Sequence, residues 1–219
     1  PAAQLHYSAV KPIANYSPWL SDPDFLATVQ AIEGHTLVDL YRLWELWCLV
    51  DETKDLPGAI LEVGVWRGGT GALMARRAQK TPVVLCDTFS GVVKAGAQDQ
   101  HYTGGEHADA SIGQVQALLR AVAPQAQVQI LTGIFPEQTG AQVAGLQFKL
   151  VHIDVDVYES GRDVLEFVWP RMPAGGVVVY DDYGFSTCTG ITLHVDEQRG
   201  KPDRLVVHNL NGHALVIKR

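Results

Sequence analysis

The chain has 219 residues, 47% of them hydrophobic and 19% charged, without a low-complexity run, which excludes extensive disorder and leaves enough chain for one large domain. A formal net charge of -7 with no Lys/Arg stripe argues against a phosphate-tracking nucleic-acid surface and favours a small-molecule substrate. Cys48, Cys86 and Cys188 are far apart and form no CxxC pair, so a disulfide framework or zinc knuckle is not expected and a reducing, cytoplasmic setting fits.

From Pro1 to about Asp24 the prolines Pro12, Pro18 and Pro23 predict an irregular arm. No basic start leads into an apolar run there, so no signal peptide is expected. Phe25 to Lys54 predicts one amphipathic helix, with Leu37, Leu40, Tyr41, Trp44, Trp47 and Cys48 recurring at spacings of three and four. Asp39, Arg42 and Glu45 interrupt its apolar stretch and exclude a membrane span. Residues 1–54 thus read as an arm and helical cap, and residues 55–219 as an α/β core, together one domain.

The core alternates. Ala59 to Trp66 predicts a strand, Thr70 to Gln79 a helix, and Pro82 to Cys86 a strand. Gly91 to Ala110 is polar, Gly-rich and aperiodic, the profile of a lid. Ser111 to Val122 (helix), Gln127 to Thr132 (strand), Phe148 to Asp154 (strand), Gly161 to Trp169 (helix) and Gly176 to Tyr180 (strand) continue the pattern of a parallel sheet with helices on both faces. Arg204 to Leu210 and Ala214 to Lys218 flank Asn211-Gly212, a hairpin signal, so one of the two must run antiparallel. A mostly parallel sheet closed by such a hairpin looks like the Rossmann-like sheet of class I methyltransferases.

The segment Glu62-Val63-Gly64-Val65-Trp66-Arg67-Gly68-Gly69-Thr70 joins a predicted strand to a predicted helix, where an α/β sheet binds nucleotides. Gly64 permits a tight turn and Gly68 a close approach to the backbone. Trp66 stands where a pyrophosphate-binding turn needs glycine, which argues against NAD. S-adenosylmethionine has no phosphate to cradle and suits this turn better, with Glu62 accepting from its ammonium. Asp87, at the end of the next strand in Cys86-Asp87-Thr88-Phe89, is placed to take both ribose hydroxyls. The same glycines and acid also suit a plain strand-to-helix turn and a cap.

Four carboxylates gather where two strands run out, in His152-Ile153-Asp154-Val155-Asp156-Val157-Tyr158 and in Tyr180-Asp181-Asp182-Tyr183. Like charges raise one another's pKa unless something positive intervenes. Mg2+, a hard cation that takes oxygen ligands, resolves the conflict, with Asp154, Asp181 and Asp182 as the candidate ligands and Asp156 as the base. In a continuing strand Asp181 and Asp182 would face opposite ways, so the chain must turn there if both bind. Helix capping and solvation remain the alternative fate of these acids.

At these residues the chain resembles the macrocin O-methyltransferase family, bacterial enzymes that methylate sugar hydroxyls of antibiotics, and more distantly the catechol O-methyltransferase type. The resemblance runs from about residue 35 to the end. It rests on the glycine turn, on Asp87-Thr88-Phe89-Ser90-Gly91, Gly133-Ile134-Phe135-Pro136, the Asp154 segment through Ser160, and Gly175-Gly176 leading to Asp181-Asp182-Tyr183-Gly184. It implies S-adenosylmethionine and Mg2+ as cofactors, the same three metal aspartates, and Asp156 as base. It also implies a cofactor site lined by Glu62, Val63, Gly64, Gly68, Thr70, Asp87, Thr88, Phe89, Ser111, Gly133, Phe135 and Asp154. The acceptor would be a hydroxyl on a bacterial natural product. Ile134 stands in place of a Trp and Val92-Val93 in place of Leu-Pro, departures that bear on the acceptor rather than on the chemistry. Family members form oligomers through longer N-terminal regions, so a homo-oligomer is left open.

Other residues have blander readings. His101 and His107 in the lid read as solvated, Trp44 and Trp47 as packing residues, and His152 as a hydrogen-bonded core histidine. Two other functions stay open at this point: a metal-dependent phosphoryl or ester hydrolase using the same aspartates, and a ligand-binding member of the fold without turnover.

Overall fold

A computed structural model describes residues 5–219; positions 1–4 of the expected arm lie outside the described residues. The described arm holds no helix before a short 3-10 turn at Pro18–Ser21. Helix α1 (Pro23–Ala31) follows, with proline in its first turn and the Asp22 carboxylate accepting from the Phe25 amide.

The single helix expected over Phe25 to Lys54 is in fact two. After α1 the chain turns at Gly34, with φ 76°, and α2 (Leu40–Glu52) restarts at Asp39, whose side chain accepts from the Tyr41 and Arg42 amides. The apolar periodicity persists across the break, so a reading of side-chain spacing runs straight through a glycine turn and a fresh N-cap. Trp44 and Trp47 both sit edge-on to Phe25, at 4.9 and 5.6 Å between ring centroids, which makes them packing residues.

The core then runs β1 (Ala59–Val63), α3 (Gly69–Ala78), β2 (Val83–Asp87), α4 (Ile112–Val122), β3 (Val128–Thr132), β4 (Phe148–Ile153), α5 (Tyr158–Val168), β5 (Val177–Tyr180), α6 (Thr189–Asp196), β6 (Arg204–His208) and β7 (Ala214–Lys218). The sheet order is β3-β2-β1-β4-β5-β7-β6. Strands β1 to β5 pair in parallel, and β7 is antiparallel to both β5 and β6. The expected antiparallel strand is therefore β7. The loop joining it to β6 runs from Asn209 to His213, closed by the Asn209 amide on the His213 carbonyl at 3.2 Å, and is longer than a two-residue turn. Helix α6 was not expected: it is short and follows the polar, glycine-bearing stretch after Tyr183, where no apolar stripe announces it.

Along each strand, neighbours face opposite layers. In β1 Ile60 packs with α1 to α4 while Leu61 and Val63 pack toward α5 and α6; in β5 Val179 and Val178 divide the same way. Both faces are thus covered, as a parallel sheet requires, and each buried Leu, Ile or Val contributes ~1.5–3 kcal/mol. No helix among the described residues is long and apolar enough to cross a membrane.

Asp22 ties the two N-terminal helices together: Oδ1 accepts from the Phe25 amide at 2.9 Å and Oδ2 from the Trp47 indole at 3.0 Å. Burial would raise its pKa, but these donors and Arg77 hold it below the ordinary carboxylate value. A carboxyl lowered in the folded state adds stability above its unfolded pKa, about 3.9, and loses it as pH falls through the folded value. Asp22→Ala is expected to cost about 1 kcal/mol by urea denaturation at pH 7. That gap should narrow below about pH 3; one independent of pH would contradict the assignment.

Candidate active site

The parallel strands end at one edge of the sheet, and a cleft with a cavity volume of about 200 Å3, open to solvent, lies there. The wall from β1 includes Val63, Gly64, Val65, Trp66 and Thr70; that from β2 includes Asp87 and Thr88; Gly133 and Phe135 follow β3. Asp154, Asp156, Asp181 and Asp182 supply the acidic side.

Gly64 is required sterically. Its φ is 88°, and a Cβ there would stand 1.7 Å from the Asp154 carbonyl oxygen. This contact lets β1 and β4 end side by side, with the Asp154 amide on the Val63 carbonyl at 2.9 Å. The chain then reverses through Trp66, at φ 47°, whose indole donates to Asp109 at 2.7 Å. Asp87 holds this turn: Oδ2 accepts from the Val65 and Trp66 amides at 2.6 and 2.8 Å, and Oδ1 from the Phe89 amide at 2.7 Å. A carboxylate has about four acceptor positions, so one remains for a ligand hydroxyl.

Asp154, Asp181 and Asp182 each offer a carboxylate oxygen within 4.8 Å of the others. Asp182 has φ 59°, so the chain does turn between the adjacent aspartates, and both reach one site. Their environments differ sharply. Asp181 is 3% exposed, and its Oδ1 accepts from His213 Nε2 at 2.7 Å while Oδ2 accepts from Arg42. Burial opposes its charge, but His152, His213 and Arg42 lower its pKa. Asp154 and Asp182 are compensated less: Arg42 Nη1 stands 3.8 Å from Asp182 Oδ1, and only the charge of His152 opposes the shift at Asp154. Burial first, then the neighbouring aspartates, raise both well above the ordinary carboxylate value. Asp156, at φ 64°, is raised chiefly by burial, and its Oδ1 accepts from the Tyr102 hydroxyl at 2.7 Å.

The segment expected as a lid carries no helix or strand through Ala110 and walls the cleft with Gly91, Val92, Val93, Tyr102 and His107. It is pinned in mid-course. The Asp99 carboxylate accepts from the Tyr158 amide at the start of α5, at 3.0 Å, and Lys94 donates to Asp163 at 2.8 Å. His107 faces the cleft, with Nε2 3.4 Å from the Tyr102 hydroxyl, whereas His101 is exposed outside it.

Four residues expected around the cofactor do not line the cleft. Glu62 is fully buried and pairs with His152 Nδ1 at 2.9 Å, the two being register partners on β1 and β4. Gly68 caps α3 with φ 90°, Ser111 caps α4, and Phe89 packs on the core. His152 is therefore the hydrogen-bonded core histidine expected of it. Sequence reasoning missed Arg42, Glu45 and His213 around Asp181. A signal was present: charged residues three apart amid the apolar stripe of α2.

The family profile described as Macrocin-O-methyltransferase (TylF) matches residues 27–206. The chain is 32% identical over 183 residues to the 8-demethyl-8-(2,3-dimethoxy-alpha-L-rhamnosyl)-tetracenomycin-C 4'-O-methyltransferase of Streptomyces olivaceus, covering 77% of this chain and 70% of the relative. Mycinamicin III 3''-O-methyltransferase of Micromonospora griseorubida is 29% identical over 190 residues, covering 79% and 74%. Among solved structures, the O-methyltransferase NovP superposes with a TM-score of 0.70 at 25% identity, covering 84% of this chain and 82% of that one.

Gly64→Ala should abolish the close approach of β1 to β4. The expected outcome is a loss above about 4 kcal/mol, or no folded protein, in thermal denaturation. A variant melting with the parent would contradict the geometry of the turn.

Proposed function

This chain belongs to the macrocin O-methyltransferase family and is an S-adenosylmethionine-dependent O-methyltransferase, and on that premise we propose that it methylates a sugar hydroxyl of a natural product with the help of Mg2+. The single observation that carries the cation is the contrast among three acids whose oxygens lie within 4.8 Å of one another: Arg42 and His213 hold Asp181, whereas burial and the neighbouring Asp181 drive Asp154 and Asp182 toward neutrality where they line an open cleft. A hard divalent ion with oxygen ligands relieves that repulsion and leaves positions for water or substrate. Asp154, Asp181 and Asp182 would hold it, and the residues present fit it. When bound, the ion supplies the positive charge that lowers the pKa of an acceptor hydroxyl.

The chain's own residues do the rest. The turn Gly64 to Trp66, Asp87 and the Gly133–Phe135 wall bind the methyl donor, Asp87 offering its remaining acceptor position to a ribose hydroxyl. Asp156 takes the proton from the acceptor hydroxyl, and its raised pKa brings it closer to the range useful for a base. The acceptor oxygen attacks the sulfonium methyl carbon: the O–C bond forms, the C–S bond breaks, and its electron pair goes to sulfur. Because sulfonium is already a good leaving group, alignment of oxygen, carbon and sulfur is the main demand on the protein. The lid residues Tyr102 and His107 exclude water over that line. The relative from Streptomyces olivaceus is named for a rhamnosyl substrate, which supports a deoxysugar acceptor here. The hydrolase alternative drops out with family membership.

Incubation with S-adenosylmethionine, Mg2+ and a panel of deoxysugar glycosides and catechols tests the reading. Mass spectrometry should find one added methyl on a glycoside, abolished by EDTA and restored by Mg2+. Methylation of catechols alone would overturn the acceptor, and activity indifferent to EDTA would overturn the cation. Asp87→Ala should weaken donor affinity about 10–100-fold in calorimetry, the value of hydrogen bonds to a charged group.

A further inference from the structure

The support of Asp181 comes jointly from α2 and from the loop that joins β6 to β7. His213, with no exposed surface, bridges two carboxylates: Nδ1 meets Glu45 Oε2 at 2.5 Å and Nε2 meets Asp181 Oδ1 at 2.7 Å. Glu45 stands on α2, and it also accepts from Asn209 and from Asn211 Nδ2, the latter at 3.4 Å. The Asn211 side chain accepts from the His213 amide at 2.9 Å. The Asn211-Gly212 motif thus shapes a loop that delivers His213 to α2. One helical turn before Glu45, Arg42 donates to the other oxygen of Asp181 and, through Nε, to Asp39 at 2.9 Å.

We infer that Glu45 and His213 are positioning residues for the cation site, a buried hydrogen-bonded chain from α2 that fixes the orientation of the Asp181 carboxylate. The inference rests on the divalent-cation reading above. Each Asp181 oxygen has two acceptor positions, and His213 and Arg42 take one apiece. The positions left over have their directions set by those donors, so the carboxylate cannot swing away from Asp154 and Asp182. Outer partners of this kind orient a metal-binding carboxylate, and their loss typically weakens metal affinity 10–100-fold. A merely structural role would show in stability instead.

The test is calorimetric titration of Mg2+ into the purified full chain, without methyl donor, for the parent, His213→Asn, Glu45→Gln and the double variant. Thermal melting and S-adenosylmethionine affinity in the absence of Mg2+ are measured alongside. Expected are a roughly 10–100-fold weaker Mg2+ affinity in His213→Asn, a smaller loss in Glu45→Gln, and a double variant no weaker than His213→Asn alone, since Glu45 acts through His213. Donor affinity should stay at the parent value. If His213→Asn fails to fold, Glu45→Gln, which keeps the side-chain shape, decides by itself. Parent-like Mg2+ affinity in Glu45→Gln, or losses that multiply in the double variant, would overturn the inference. A parent chain that binds no Mg2+ would overturn the cation reading beneath it, a result visible before any variant is made.

Discussion

The arrangement depends on one electrostatic constraint: acids that converge at the ends of β4 and β5, with oxygens of Asp154, Asp181 and Asp182 within 4.8 Å of one another, cannot all stay charged in a partly buried cleft without positive partners. The protein meets that constraint unevenly. Asp181 is surrounded by Arg42, His152 and His213, which lower its pKa, while Asp154 and Asp182 line the cleft with theirs raised, first by burial. The proposed cation would supply the positive charge that Asp154 and Asp182 are short of. The sheet makes the convergence unavoidable, because neighbouring parallel strands terminate at one edge and Gly64 lets two of them end in contact.

The same constraint explains the helical cap. Asp39 caps α2, and Arg42 and Glu45 lie along it beside the buried Leu43, Leu46 and Trp47. A charge buried as Arg42 is, or half-buried as Glu45 is, is costly unless paired: Arg42 pairs with Asp181 and with the exposed Asp39, and Glu45 with His213 of the β6–β7 loop. On the other side Glu62 and His152 form a second buried pair beneath the acids, where both Asp181 and Glu62 push the imidazole up to about 10 against the effect of burial. The pleat that turns Ile60 and Val179 toward α1 to α4 turns Glu62, His152 and Asp181 the same way. Cap and site are therefore one electrostatic unit.

Much of this was legible in the sequence, for identifiable reasons. The β-branched runs, the glycine turn and the doubled aspartates are local patterns, and they sufficed for the parallel sheet, for one reversed strand in the C-terminal hairpin, and for the edge at which the acids meet. What escaped was set by tertiary distance. Arg42 reaches Asp181 across 139 positions, and Glu45 reaches His213 across 168, separations that no periodicity reports. The break between α1 and α2 escaped because Gly34 interrupts the backbone without interrupting the apolar pattern. Glu62 was placed beside the ligand on motif grounds, whereas its register with His152 turns it into the core. Asp87 stands where expected, yet most of its hydrogen-bonding capacity goes to the backbone of the turn.

The measurement that bears most directly on the account is a crystal structure of the chain soaked with S-adenosylhomocysteine and Mn2+, with anomalous differences collected at the manganese edge. The account predicts one strong anomalous peak between the carboxylates of Asp154 and Asp182, in reach of Asp181, with the nucleoside along the Gly64 to Asp87 wall. A nucleoside in the cleft with no anomalous density among the aspartates would contradict it.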